Sequence, residues 1–268
     1  MTNRDTERDG CLSEVIRVLN REVDLGAIAS LVEALRPIAR PVSLSETVIA
    51  FDANVFLRLS SHPQSEDVID FLRTSFDGAL LLPGQVVQEF WNNQFLAVDS
   101  IAESIKKKAE ALKGEIRKID PSFADFSGRF EALLTEFQDS YGYIYDPNTL
   151  RRMQLFIDLI SEKATVPYAP RNLLSEICES RKRTKTPPGF KDELDGDFYV
   201  WVDLLFGLSS IQRRGIIFNR VVFVSLDKKQ DWVRQGTPHP ILSAEIRTLT
   251  GSSFAIWSIG DLVKALLE

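Results

Sequence analysis

Short runs of β-branched and aromatic residues alternate with amphipathic helical stretches along this chain, and two of those runs stop on an aspartate. Thr47-Val48-Ile49-Ala50-Phe51 closes on Asp52, and Val221-Val222-Phe223-Val224-Ser225-Leu226 closes on Asp227. Strands that alternate with helices imply a parallel sheet with right-handed crossovers. In an open sheet of that kind, ligands bind in the crevice beyond the carboxyl ends of the strands. Two further acids, Glu89 and Asp197, fall near the starts of helical stretches. Carboxylates gathered at such a crevice suit a hard cation that prefers oxygen ligands.

The remaining strands read at Ala79–Leu82 and Phe254–Trp257. Helices read at Ser65–Phe76, after Pro83-Gly84, from Asp197 through Phe206, at Ile241–Leu249 and at Asp261–Leu267. Residues 11–40 are helical by periodicity, with Leu12, Val15, Ile16 and Leu19 on one face and Ile28, Leu31, Val32 and Leu35 on another. Pro37 and Pro41 end that stretch. From about residue 95 to 182 strand patterns are nearly absent. Helices read at Ile101–Lys108, Phe126–Phe137, Leu150–Ile160 and Asn172–Arg181, with Pro121 as a break. The expected organisation is therefore an N-terminal helical extension over 1–44 and an α/β domain over 45–268, with a large helical insertion at about 95–182.

Residue usage excludes most other chemistries. Cys11 and Cys178 are the only cysteines among 268 residues, too few and too far apart for a disulfide scaffold or structural zinc. Cys178 lies in an apolar helical stretch, where a buried thiol is expected rather than a nucleophile. His62 and His239 each neighbour a proline in a loop, which disfavours a histidine base or a Ser/His/Asp triad. Chemistry then rests on carboxylates, hydroxyls and amines. No apolar run approaches a membrane span and the charged N-terminus leads into no signal-peptide core, so a cytoplasmic location with no membrane partner is expected.

The net charge of −6 argues globally against nucleic acid, but only groups that face phosphates contribute to binding. Arg181-Lys182-Arg183-Thr184-Lys185 through Lys191 holds five basic residues, and Asp192 to Asp197 then reverses the sign. A basic arm beside an acidic cluster could hold a polyanion next to metal ions; a solvated loop of mixed charge is the competing reading.

Ile49-Ala50-Phe51-Asp52-Ala53-Asn54-Val55-Phe56 resembles the opening motif of PIN-domain nucleases, and Pro83-Gly84-Gln85-Val86-Val87-Gln88-Glu89-Phe90 resembles that family's second strand leading into its acidic helix. Pro187-Pro188-Gly189-Phe190-Lys191-Asp192, Gly196-Asp197-Phe198-Tyr199-Val200-Trp201 and Phe223-Val224-Ser225-Leu226-Asp227-Lys228-Lys229-Gln230-Asp231-Trp232 resemble a PIN-like subgroup of bacterial, often defence-associated proteins. The likeness covers roughly residues 45–95 and 180–260. It implies a three-layer α/β/α fold and a metal-dependent nuclease, a ribonuclease acting on single-stranded RNA ahead of a DNA-directed enzyme, toxin-like or in bacterial defence. It also implies one or two Mg2+ or Mn2+ ions on Asp52, Glu89, Asp197 and Asp227. A non-catalytic PIN-fold module that binds RNA or protein is the alternative from another class.

Around the four acids, Asn54 is expected to orient Asp52, and Ser225 stands where the family often has Ser or Thr before its last acid. Leu226 occupies a position that is commonly acidic in the subgroup. Asp197 reads either as a ligand or as a helix cap. Asp192 and Asp231 are reserves, the second placed four residues after Asp227 on one helix face, and the favoured reading of each is an exposed carboxylate in a turn. Arg181, Arg183, Lys185, Lys191 and Lys228 are the candidate phosphate contacts, with Lys229 beside them. A homodimer or an inhibitory or sensor partner could use the N-terminal helices or the insertion. A haloacid-dehalogenase-type phosphatase is disfavoured because Asn54 stands where its second Asp would be, and an EF-hand because Asp195-Gly196-Asp197 lacks the alternating ligand series.

Overall fold

The computed structural model describes residues 3–35, 43–92, 147–192, 194–226 and 229–268, with residue 108 and a few helical residues between 111 and 133. Two N-terminal helices, α1 (Asn3–Leu19) and α2 (Ala27–Leu35), precede the first strand, β1 (Thr47–Phe51). Then follow α3 (Ala53–Ser60), α4 (Ser65–Thr74), β2 (Ala79–Leu81) and α5, described from residue 84 to 92. The chain resumes with α6 (Pro147–Lys163), β3 (Ala164–Thr165), α7 (Ser175–Arg183), α8 (Gly196–Arg213) and β4 (Arg220–Val224). A small hairpin, β5 (Val233–Arg234) and β6 (Thr237–Pro238), leads to α9 (Pro240–Thr250), β7 (Ser253–Trp257) and α10 (Ile259–Leu267).

Five strands form one parallel sheet in the order β3-β2-β1-β4-β7. Helices α3, α4, α6 and α10 cover one face, while α8 and α9 cover the other, with α1 against both and α2 against α9. The fold is thus a three-layer α/β/α sandwich. β1 and β4 are buried along nearly their whole length because both faces are covered, which is why they read as continuous apolar runs rather than alternating ones. Phe51 points into the first layer, edge-on to Phe156 of α6 at 5.1 Å between ring centroids. Phe223 points into the second, stacked on Trp232 at 5.2 Å. Each of these fully enclosed rings contributes about 1.5–3 kcal/mol of burial.

Helix α8 is buried on nearly every side, from Phe198 to Ile211. It lies against the sheet so closely that a Cβ at Gly207 would come within 2.6 Å of Leu81 Cδ1. This packing carries the acidic start of α8 to the same edge as the ends of β1 and β2.

Two expectations need correction here. The segment read as an insertion is part of the sandwich from residue 147 onward: Phe156, Leu159 and Ile160 of α6 are buried, and β3 pairs in parallel with β2. Two residues of strand are too few to show periodicity. The helices read at Ile101–Lys108 and Phe126–Phe137, and the Pro121 break, lie for the most part outside the described residues, as do Pro37 and Pro41. The apolar stripes of the N-terminal helices also diverge. Leu12, Val15 and Leu19 of α1 are buried, whereas Ile28, Leu31, Val32 and Leu35 of α2 are exposed. Helix α2 instead turns Ser30 inward, where Arg247 of α9 donates to its hydroxyl at 3.1 Å.

Candidate metal centre at the carboxyl ends of β1 and β4

The chain crosses from one half of the sheet to the other between β1 and β4, so the crevice at their carboxyl ends is the topological switch point. Asp52 stands there. The sheet ladder reaches it directly, because its own N–H donates to Val224 O at 3.0 Å. Asp52 is also the N-cap of α3: its Oδ1 accepts from Ala53 N–H at 2.7 Å. Its other oxygen, Oδ2, accepts from Ser225 Oγ at 2.6 Å and from Asn54 Nδ2 at 2.7 Å. Asn54 in turn accepts from Leu226 N–H at 3.1 Å, which ties the turn after β4 to the start of α3. The carboxylate is therefore held by groups from both central strands.

Glu89 reaches the same place from α5. Its Oε1 accepts from Gln85 Nε2 at 3.4 Å, one helical turn away. Gly196, at the start of α8, makes room for it: a Cβ there would sit 2.6 Å from Glu89 Oε1. Burial pushes the Glu89 carboxyl up to about 7, with the negative charge of Asp52 as the next cause and that of Asp197 a further one. Three elements thus bring Asp52 and Asp197 within electrostatic reach of Glu89.

Asp197 lies inside the first turn of α8, whose N-cap is Asp195, so it is not the capping residue. Its Oδ2 accepts from Trp232 Nε1 at 2.9 Å and from Lys229 Nζ at 3.0 Å. Burial raises this carboxyl to about 6, and a hydrogen bond shared with Asp192 adds to the rise. Asp192 is held below the usual carboxylate range: burial works upward, but the Lys229 ammonium 2.9 Å away, a hydrogen bond with Asp197 and the charge of Lys182 together outweigh it.

Asp227 and Lys228 lie outside the described residues. Asp231 does not belong to the cluster. Residues 230–232 form a turn rather than a helix, so the same-face argument from Asp227 does not hold. The side chain is buried, and its Oδ2 accepts from Gly189 N–H at 2.9 Å, which anchors the loop that carries Asp192. It is not an exposed turn carboxylate either.

The basic stretch is not a free arm. Arg181 is only 4% exposed, and its Nη1 donates to Glu245 Oε1 at 2.7 Å, inside the core. Trp201 Nε1 donates to the other Glu245 oxygen at 2.7 Å, and Arg181 also donates to Pro187 O. A guanidinium so enclosed cannot meet a phosphate, which corrects its reading as a contact. Lys182 pairs with Asp195 at 2.7 Å and Arg183 with Glu179 at 2.8 Å. Lys185 and Lys191 are exposed, and Lys191 Nζ lies 3.4 Å from Gln230 Oε1.

Sequence reasoning passed over several residues that shape the site. Asp203 of α8 is fully buried and accepts from both Arg171 nitrogens at 2.8 and 2.9 Å, from Ala169 N–H at 2.9 Å and from Gln85 N–H at 2.8 Å. It clamps the start of α5, and hence Glu89, to α8. Lys229 as a partner of Asp192 and Asp197, and Trp232 as a donor to Asp197, were likewise not read. Trp232 closes the motif that begins in β4, so its indole N–H could have been considered beside that motif's acids.

A family model described as a PIN like domain matches residues 134–245. Over those residues the chain carries a PIN-like domain. No curated protein and no solved structure matches the chain. The match takes in α6 to α8, β4 and the acids Asp192 and Asp197, and it begins within the stretch that the sequence pattern assigned to an insertion. PIN domains are generally nucleases that use divalent metal, so this is a nuclease-type fold.

The acids at the switch point fit such an ion in kind. They are oxygen donors only, concentrated at the switch point, and they push one another's protons on. Among the described residues, no group of three or more His, Cys, Asp or Glu side chains stands in ligation geometry. Among the same residues no helix is long and apolar enough to cross a membrane. Both cysteines are buried, and burial drives the Cys178 thiol up to about 12, far from a nucleophile.

Proposed function

We propose that this protein is a metal-dependent endonuclease that hydrolyses phosphodiester bonds, with single-stranded RNA as its substrate. The observation that carries the reading is the convergence of Asp52, Glu89 and Asp197, from three separate elements, on the crevice at the ends of β1 and β4. Carboxylates alone repel a phosphate, so an acidic centre of this kind works on nucleic acid only through cations. Mg2+ or Mn2+, one ion or two, would be held by these three residues with Asp227. Bound there, the cation supplies Lewis acidity that neutralises the phosphate and makes water nucleophilic near neutral pH.

The chain's own residues prepare that site. Ser225 and Asn54 fix the orientation of Asp52 with two donors on one oxygen. Burial and the charge of Asp52 raise the Glu89 carboxyl to about 7, so a cation held there would compete with its proton. Lys185 and Lys191, exposed on the same loop region as Asp192, supply positive charge to the phosphate chain. The preference for RNA and a toxin-like or defence role rest on the family resemblance, and a cytoplasmic setting goes with them.

The test is cleavage of end-labelled single-stranded RNA and DNA with and without Mn2+, in the wild type and Asp52→Asn. Metal-dependent cutting of RNA that Asp52→Asn abolishes is the expected result. Cutting that survives chelation or the substitution would overturn the metal mechanism. Retention of RNA without cutting would favour a binding module, and cutting of DNA alone would replace the substrate.

A further inference from the structure

The ammonium of Lys229 lies between two of the site's carboxylates, 2.9 Å from Asp192 Oδ2 and 3.0 Å from Asp197 Oδ2. Glu89 feels the same charge, which opposes the rise caused by its neighbours. Resting on the metal-centre reading above, we propose that Lys229 is a tethered placeholder cation: it satisfies Asp192 and Asp197 in the metal-free protein, competes with the divalent ion, and sets the metal concentration at which the centre fills.

Three features of the residue suit that role. First, Asp192 and Asp197 share a side-chain hydrogen bond as well as the ammonium, so their carboxyl groups already stand together where one small cation could meet both. Second, lysine is a compact point charge on a flexible stem, whereas arginine's planar fork would lock onto the pair. Third, the contrast with the other paired acids is physical. Arg171 and Arg181 bind Asp203 and Glu245 through two nitrogens each, with buried carboxylates. Lys229 is 41% exposed and its partners 29% and 20%, so water reaches the pair and exchange is cheap.

Position also matters. Lys229 follows β4 by five residues, and Trp232, three further on, donates to the same Asp197 oxygen. The indole holds Asp197 in place when the ammonium leaves, so the carboxylate is already oriented for the incoming ion. Lys229 is thus a positioning residue that acts through Asp192 and Asp197.

The experiment is Mn2+ binding to metal-free protein by isothermal titration calorimetry, in wild type, Lys229→Met and Lys229→Arg, with circular dichroism to confirm folding. Removing the competing charge is expected to tighten Mn2+ about fivefold in Lys229→Met, while Lys229→Arg weakens it. Metal-free Lys229→Met should also melt below the wild type and recover with Mn2+, a response that a purely structural lysine would not produce. If the wild type binds Mn2+ and Lys229→Met binds it equally or more weakly, the placeholder is overturned and the metal centre stands. If neither binds Mn2+, the metal-centre reading itself fails and takes the placeholder with it. Should Lys229→Met misfold, Lys229→Gln makes the same comparison.

Discussion

Two sets of acids share this molecule, one buried and one half-buried, and they are treated in opposite ways. Asp203 and Glu245 are fully enclosed, and each has an arginine on both oxygens together with further N–H donors. Burial raises the Asp203 carboxyl, and Arg171 and two backbone donors oppose the rise. Glu89 has a side-chain amide at 3.4 Å and two negative neighbours, and it rises to about 7. A carboxylate matched by guanidinium is a joint in the fold. Carboxylates brought together with too little positive charge are a site that asks for a cation.

The comparison breaks most sharply at Asp52. Asp52→Asn keeps the shape and the N-cap acceptor but removes the charge. Loss of a residue behind a metal ligand typically costs about 10–100-fold in affinity or activity, and the loss at Asp52 is expected to exceed that. Cleavage assays with unchanged circular dichroism check it. The core joint is broken by Arg181→Ala, which leaves Glu245 buried without its partner. A loss of about 3–5 kcal/mol of stability is expected, read by urea denaturation. A loss under ~1 kcal/mol would show that the pair is not holding α7 to α9.

Ser225→Ala tests the support of Asp52. Removal of a hydroxyl 2.6 Å from Oδ2 should lower metal affinity by about tenfold and stability by about 1 kcal/mol. The smallest effect is the pH response of the metal-free protein. Glu89 has a folded value of about 7 against an ordinary 4.5, so the fold favours its protonated form. Its contribution is fully present below 4.5 and is lost as pH rises through about 7. In EDTA, Tm should therefore fall across that window, Glu89→Gln should flatten the fall, and Mn2+ should restore Tm most at pH 8. A Tm that rises over the window in the wild type, unaffected by Glu89→Gln, would remove Glu89 from the charged set.

Strand ends were legible because they are local. The five residues of β1 are apolar throughout and stop at Asp52, and the structure begins and ends that strand where the pattern does. β4 was legible for the same reason. β3 was not, since two residues at a sheet edge carry no period, and its helix α6 looked like any amphipathic helix. The apolar stripe of α2 shows the reverse failure: periodicity identifies a face but not the direction it points. Arg181 shows a third. It lies in a run of basic residues that reads as surface, yet Glu245, 64 positions later, draws it inside.

The chain's pattern alone determined that strands would alternate with helices and that Asp52 would stand at a strand end, because those properties depend on neighbours a few residues apart. It also restricted the chemistry to carboxylates, since two histidines and two cysteines leave little else. Only the tertiary structure decided which acids would be neutralised and which would be left in need of a cation. Charge compensation is set by distance in space. Asp203 meets Arg171 across 32 positions and Glu245 meets Arg181 across 64, while Glu89 is carried by α5 to face Asp52 and Asp197.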